Sequence, residues 1–380
     1  MGEETMTSRE RVIKAIKGEP TDRMPIDLGV HFSTGISVFA YKNLRRYLGL
    51  NTDNIEIADS VQMLARVDND ILERFQCDCI LLNPPLANPV RWNIRDDCEF
   101  LIPKKMKPEL SDSGDWIVRK GGESMRMPSG GFFFDGDWLG ISEFDSYEEE
   151  LQAYAKRAEQ LYKETDYYTM QMGYSAFFDG IDHACDMYTD PDAVIAKQNK
   201  LLEDMLTMFD KSNDAYGKYI QCIAVNSDLG TQNAPMIDPD MYGEFCMPYL
   251  KKFCAHVHNT SDVQIFIHTC GSINPLIPHL IEAGIDVMNP VQISADNMDP
   301  IDLKAKYGDK IAFWGGGCNT QQVLNMGTPD DVRGNVRELI SAFKPNGRFV
   351  FNQVHNIMGD VAPENIVAML DEAYANAFYE

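Results

Sequence analysis

Ile265-Phe266-Ile267-His268-Thr269-Cys270-Gly271-Ser272 is a short apolar run that ends in a histidine, a cysteine and a turn. With Val263 in front of it, the run is dense in β-branched and aromatic residues, which predicts a buried strand. Gly271 and Ser272 stop it. Along a strand, residues i and i+2 point the same way. His268 and Cys270 therefore share one face at the strand's C-terminal tip. An imidazole and a thiol converging there are two metal-ligand types, and the N/S mixture suits zinc. Two ligands do not make a site, so the rest of the chain must supply more.

On both sides of this strand the chain alternates between strand and helix patterns. Before it, residues 23–29 and 77–82 read as strands, and residues 56–75 have a helical apolar period with Ile57, Val61, Leu64, Val67, Ile71 and Leu72 on one face. Thr7 and Glu10 form a capping box for a first amphipathic helix. Strands at 167–172 and 219–226 follow helices at 148–165 and 190–215, and a helix at 239–258 leads into the His268 strand. Further strands fall at 286–289, 311–314 and 349–352, separated by helices at 275–283, 301–307 and 329–343, with a last helix at 363–377. Eight strands alternating with helices predict a single (β/α)8 TIM barrel over residues 1–380. Between Pro89 and Gly140 the pattern changes: the segment alternates, breaks on glycine and proline, and carries Trp92, Trp116 and the run Phe132-Phe133-Phe134. Residues 89–140 thus read as a β-hairpin insertion after the second strand. An open doubly wound sheet is the competing architecture, but no strand-linked glycine fingerprint for phosphate is present.

The formal net charge of -24 leaves no basic stripe for phosphates, which argues against nucleic acid and against an anionic membrane surface. No apolar run approaches the ~20 residues of a membrane span. The opening Met1-Gly2-Glu3-Glu4 is acidic, without the apolar stretch of a secretion signal or the spacing for myristoylation. Nine scattered cysteines, an odd number, read as free thiols in a reducing cytoplasm.

In a barrel of this class the chemistry lies at the C-terminal ends of the strands. Those ends carry Asp27 and His31, Asn83, Tyr174 and Ser175, Asn226 and Asp228, His268 and Cys270, Asn289, Cys318, and Gln353 and His355. His268, Cys270, Cys318 and His355 are the candidate metal ligands, either all four or three with one position open for substrate. His268, Cys270 and Asp228 are the candidate catalytic residues; Asp228 either orients a substrate group or a zinc-bound histidine, or caps a turn. Asp27, His31, Asn83, Tyr174, Asn226, Gln232, Asn289, Gly316 and Gln353 are the candidate substrate-binding residues. Gly316 enters because Gly315-Gly316-Gly317 makes a tight turn that lets backbone approach a ligand. Phe132, Phe133, Phe134, Trp138, Tyr174, Phe177 and Phe178 are candidates for a pocket wall or for plain core. His183, His256, His258 and His279 are read as surface or core residues.

Arg9-Glu10-Arg11-Val12 through Pro25, Asp228-Leu229-Gly230-Thr231-Gln232, His268-Thr269-Cys270-Gly271, Trp314-Gly315-Gly316-Gly317 and Pro363-Glu364-Asn365-Ile366 together resemble the uroporphyrinogen decarboxylase superfamily over almost the whole chain. The resemblance implies a (β/α)8 barrel. The decarboxylases carry an Arg-Gln-Ala-Gly-Arg-Tyr motif after the first strand, where this chain reads Asp27-Leu28-Gly29-Val30-His31-Phe32-Ser33, with no arginine from there until Arg45 and Arg46, on a helix. The other branch comprises cobalamin-dependent methyltransferases, whose His-x-Cys pair and later cysteine hold zinc. His268 and Cys270 match the pair. The later cysteine of the coenzyme M methyltransferases lies after the last strand; here that loop holds His355, and the available thiol is Cys318, one strand earlier.

The resemblance implies a corrinoid-dependent methyltransferase working with a separate corrinoid-binding protein. A Zn2+ ion would activate a small methyl donor or acceptor, with a lean to O-demethylation. The chain has no Asp-x-His-x-x-Gly motif of its own for cobalamin. A zinc-free methylcorrinoid:tetrahydrofolate methyltransferase, a uroporphyrinogen-type decarboxylase and a non-catalytic small-molecule-binding barrel are the alternatives.

Overall fold

The structure is a computed structural model that describes residues 3–379. Met1 and Gly2, on which the leader and acylation readings partly rest, lie outside them. Six parallel strands form a continuous sheet in chain order: Met170–Ser175, Cys222–Asn226, Gln264–His268, Val287–Asn289, Ala312–Trp314 and Phe349–Val350. Each pairs with the next, and Asn226, His268 and Asn289 sit side by side at the C-terminal ends. The predicted barrel order is therefore present.

The first two positions of the ring depart from the expectation of full strands. They are held by single parallel bridges, Ile26 with Phe351 and Cys79 with Tyr168, and by the Asp78 N–H donating to the Ile26 carbonyl at 2.7 Å. The reason is local chemistry. Pro25 has no N–H to give. The Ile26 N–H donates to the Asp78 carboxylate at 2.8 Å instead of to a neighbouring carbonyl. That carboxylate is fully buried, with Arg11 at 2.5 Å and Arg23 at 2.7 Å. A buried ion cluster, rather than a hydrogen-bond ladder, joins the two segments.

Strand alternation divides the core in two. Met170, Ala224, Phe266, Val287, Ala312, Trp314 and Val350 pack inside the ring with Val12 and Ile16. Ile223, Val225, Ile265, Ile267, Phe313 and Phe349 face the helices in a larger cluster. Val12 and Ile16 lie on the first helix, Ser8–Lys17, which starts at the predicted Thr7–Glu10 capping box. Arg348, just before the last strand, donates to the Ile16 carbonyl at 2.9 Å. This helix therefore closes the end of the ring where the strands begin, and the other end is left open.

Residues 56–75 do not form one helix. They make the antiparallel pair Ile57–Asp59 and Leu64–Ala65, then a short helix Asn69–Arg74. The apolar residues are buried as expected, but against different neighbours: the Ile55 carbonyl accepts from Leu101 and the Ile36 carbonyl from Ala65. The predicted helix 239–258 is two, Pro239–Phe245 and Met247–Thr260, broken at Cys246 ahead of Pro248, whose ring cannot continue a helix from within. A helix at Gly180–Thr189 was not foreseen. The insertion is β-rich, as expected. It comprises the hairpin Val90–Arg95/Cys98–Ile102 and a four-stranded antiparallel sheet of Glu109–Leu110, Trp116–Lys120, Glu123–Met127 and Asp135–Gly136. Trp92, Phe100, Val118 and Phe134 bury into the same cluster as the outer face of the barrel.

Candidate metal centre

At the open end, His268, Cys270 and His355 offer three ligand atoms that all lie within 4.8 Å of one another. His268 Nε2 and Cys270 Sγ are 3.7 Å apart. Tetrahedral zinc with Zn–N near 2.0 Å and Zn–S near 2.3 Å requires about 3.5 Å between such atoms, so the pair is close to what the ion needs. Each ligand is placed by an element already described. His268 ends its strand facing inward, two residues after Phe266, and Cys270 follows in the turn. His355 lies in the loop after the last strand.

The surroundings prepare these groups for a metal. His268 Nδ1 meets Asn289 Oδ1 at 2.9 Å. An amide oxygen only accepts, so the proton sits on Nδ1 and the Nε2 lone pair is free. The Asn289 amide is itself fixed, donating to the Trp314 carbonyl at 3.0 Å and accepting from Ser33 Oγ at 2.8 Å. Burial lowers the pKa of His268. It pushes His355 down to about 4, with His268 beside it adding to the effect. Burial raises the Cys270 thiol, and Asp228 raises it further. Two neutral imidazoles and a thiol that holds its proton until a cation arrives are a zinc-type donor set. Asp228 Oδ1 accepts the Cys270 N–H at 3.0 Å and lies 3.9 Å from His268 Nε2. Its hydrogen bond thus braces the turn that carries Cys270, while 3.9 Å is too long for a hydrogen bond to the His268 ring.

The three ligands open onto a cavity of about 1100 Å³. Of the predicted substrate-binding residues, His31, Asn83 and Asn226 line it, as does Asp228. The others do not. Asp27 is fully buried beneath the site, accepting from Trp314 Nε1 at 2.9 Å and from the Val30 N–H at 3.0 Å. Tyr174 faces the helices, its ring 5.3 Å from Phe253; strand alternation puts Ser175 on the cavity side instead. Gln232 pairs with Gln292 and with the Ser294 carbonyl outside the cavity. Asn289 holds His268 rather than a substrate. Gly316 has φ +78° and packs so closely that a Cβ would come within 2.9 Å of Val291, so its turn serves packing and not a ligand. Gln353 donates to the carbonyls of Thr34 and Gly35 and braces the His31 loop.

Cys318 is not at the centre. It is fully buried within the apolar cluster, its thiol pushed up to about 12 by burial, and its carbonyl accepts the Val354 N–H at 3.0 Å. Trp138, Phe177 and Phe178 line the cavity, whereas Phe134 is core against Trp92 and Phe132 packs on Phe39. Sequence reasoning missed His183. It lines the cavity from the unforeseen helix, and no strand-end rule points to it.

Residues 182–375 match the family model described as uroporphyrinogen decarboxylase (URO-D), and the chain belongs to that family. It is 26% identical over 133 residues to the uroporphyrinogen decarboxylase of Dichelobacter nodosus, covering 35% of this chain and 36% of that protein. It is 21% identical over 188 residues to that of Chlorobaculum tepidum, covering 48% and 52%. The chain thus spans between about a third and about a half of the length of these curated relatives. A solved structure described as a methyltransferase from Methanosarcina mazei superposes with a TM-score of 0.61 over 98% of this chain and 99% of that one, at 13% identity, which shows a shared fold. No described helix is long and apolar enough to cross a membrane.

Proposed function

We propose that this protein is a cytoplasmic methyltransferase. It moves a methyl group between a corrinoid carried by a separate protein and a small substrate activated by zinc, in the direction of O-demethylation. The observation that carries the reading is the convergence of His268, Cys270 and His355 on the mouth of one cavity. Zinc bound by these three side chains would supply a Lewis acid next to a fourth position open to substrate. Asn289 keeps the His268 Nε2 lone pair free, so that it would serve such an ion, and Asp228 holds the turn that carries Cys270. Phe177 and Phe178, both buried, provide apolar walls beside the site, with Trp138 at its exposed edge. The cavity wall contains Lys197 and no arginine. That suits a small substrate better than the polycarboxylate a decarboxylase of porphyrinogens must grip.

The test is the metal content of the purified protein and of Cys270→Ala, His355→Ala and Cys318→Ala. About one zinc per chain is expected in the wild type and in Cys318→Ala, with loss in the other two. Methyl transfer to an added corrinoid protein should follow the zinc. Retention of zinc and full transfer in Cys270→Ala sinks the mechanism. A wild type that takes up no zinc when offered it turns the reading to zinc-free transfer to tetrahydrofolate or to a non-catalytic barrel.

A further inference from the structure

His183 is 4% exposed and lines the cavity on the helix Gly180–Thr189. Its Nδ1 accepts the Asp179 N–H at 3.1 Å. A neutral imidazole with a lone pair on Nδ1 carries its proton on Nε2. That Nε2–H has no acceptor among the described residues. A buried donor left unmade costs about 1–3 kcal/mol, so an orphan of this kind asks for a partner that the protein itself does not provide. Burial, with Lys197 nearby, lowers the pKa of the ring and keeps it an uncharged donor. Phe178 stacks on it, the ring centroids 5.9 Å apart, and fixes its plane. His31 also has an unpartnered Nε2, but the unpartnered Asn226 Oδ1 lines the same cavity, and one water or hydroxyl can bridge a donor and an acceptor. His183 lacks such a counterpart. Lys197, on the same wall, is the second donor there; its ammonium is 3.4 Å from Asp179 Oδ2.

We infer that His183 is a specificity-determining residue whose Nε2–H donates to an acceptor oxygen on the substrate. The substrate is then an O-methyl compound with an apolar body and a second oxygen, distinct from the one that bears the methyl. The metal ligands, His183, Phe177 and Phe178 all line this one cavity, so a donor and apolar contact are both available to a molecule held beside the metal-ligand group. A methylammonium compound, which brings only donors or positive charge, leaves His183 unpartnered and sets a second cation beside Lys197. This inference rests on the methyl-transfer reading for the word substrate; the binding it describes does not need turnover.

The experiment is calorimetric titration of the full chain with methoxybenzene, with 3- and 4-methoxyacetophenone, and with trimethylanilinium. The wild type should bind one of the ketones on the order of ten-fold more tightly than methoxybenzene, the worth of one satisfied buried donor. In His183→Phe that preference should fall to within about twofold while methoxybenzene binding persists, and His183→Gln, which keeps an N–H at the Nε2 position, should restore part of it. An undiminished ketone preference in His183→Phe overturns the inference. So does tighter binding of trimethylanilinium than of both ketones, or no binding of either ketone by the wild type. Repeating the titrations on Cys270→Ala separates the two readings: a ketone preference that survives there upholds His183 whatever becomes of zinc and methyl transfer.

Discussion

Cys270 holds its proton in the metal-free protein because burial raises its thiol, whereas His268 and His355 are already neutral at pH 7 because burial lowers them. Zinc binding near pH 7 must therefore expel about one proton, from the thiol alone. The apparent zinc affinity should rise about tenfold per pH unit there, and fall more steeply below about pH 4 as His355 also takes up a proton. Calorimetry in buffers of different ionisation enthalpy measures the count; release of none, or of two at pH 7, contradicts this assignment. The pairing of His268 with Cys270 was legible because strand alternation is a local rule. Choosing between Cys318 and His355 was not. Both follow a strand end, and only the packing shows that one thiol is sealed among apolar side chains while the imidazole reaches the rim.

The joint between the first two ring segments depends on Asp78, which two arginines and a backbone N–H share. Asp78→Ala removes the carboxylate the two arginines share, while Asp22 and Glu4 still pair with Arg11 and Glu4 with Arg23. With the charges partly compensated, the loss should be about 2–3 kcal/mol, most of it the Ile26 N–H and the arginine donors left unmade. Urea unfolding reads this directly, and a loss below about 1 kcal/mol would show that the cluster is not what holds the joint. Arg11 reads as part of the first helix and Arg23 and Asp78 as parts of predicted strands, with nothing local to show that they meet, so the sequence supports two regular strands where the structure has bridges. Residues 56–75 failed for a related reason. A helical apolar period says that residues are buried, not that one continuous surface buries them, and here Ile57 and Leu64 belong to a paired ribbon.

Three of the four tryptophans, Trp92, Trp116 and Trp138, lie in the insertion, and Trp314 lies in the ring. Trp92 and Trp116 meet edge to face at 5.1 Å, and Trp92, Phe100 and Phe134 share the cluster that packs the barrel's outer face. A segment without a core of its own unfolds with the body it is packed on. Tryptophan fluorescence, reporting mainly on the insertion, should therefore lose its native signal at the same urea concentration as far-ultraviolet circular dichroism, which reports mainly on the helices. An earlier fluorescence transition would make residues 89–140 an independent unit.

The amino-acid sequence by itself determined the alternation of strands and helices, the barrel order, the β-rich insertion and the His268–Cys270 face, because each follows from a period or a turn within a few residues. It did not determine which rim residues meet. Asp27, Tyr174, Gln232, Gly316 and Gln353 satisfy their hydrogen bonds or packing away from the cavity, while His183 reaches it from a helix no rim rule anticipated. Those outcomes depend on contacts between residues far apart in the chain, as in the 355-to-268 convergence that completes the metal-ligand group, and only the tertiary arrangement of the strands brings such residues within reach.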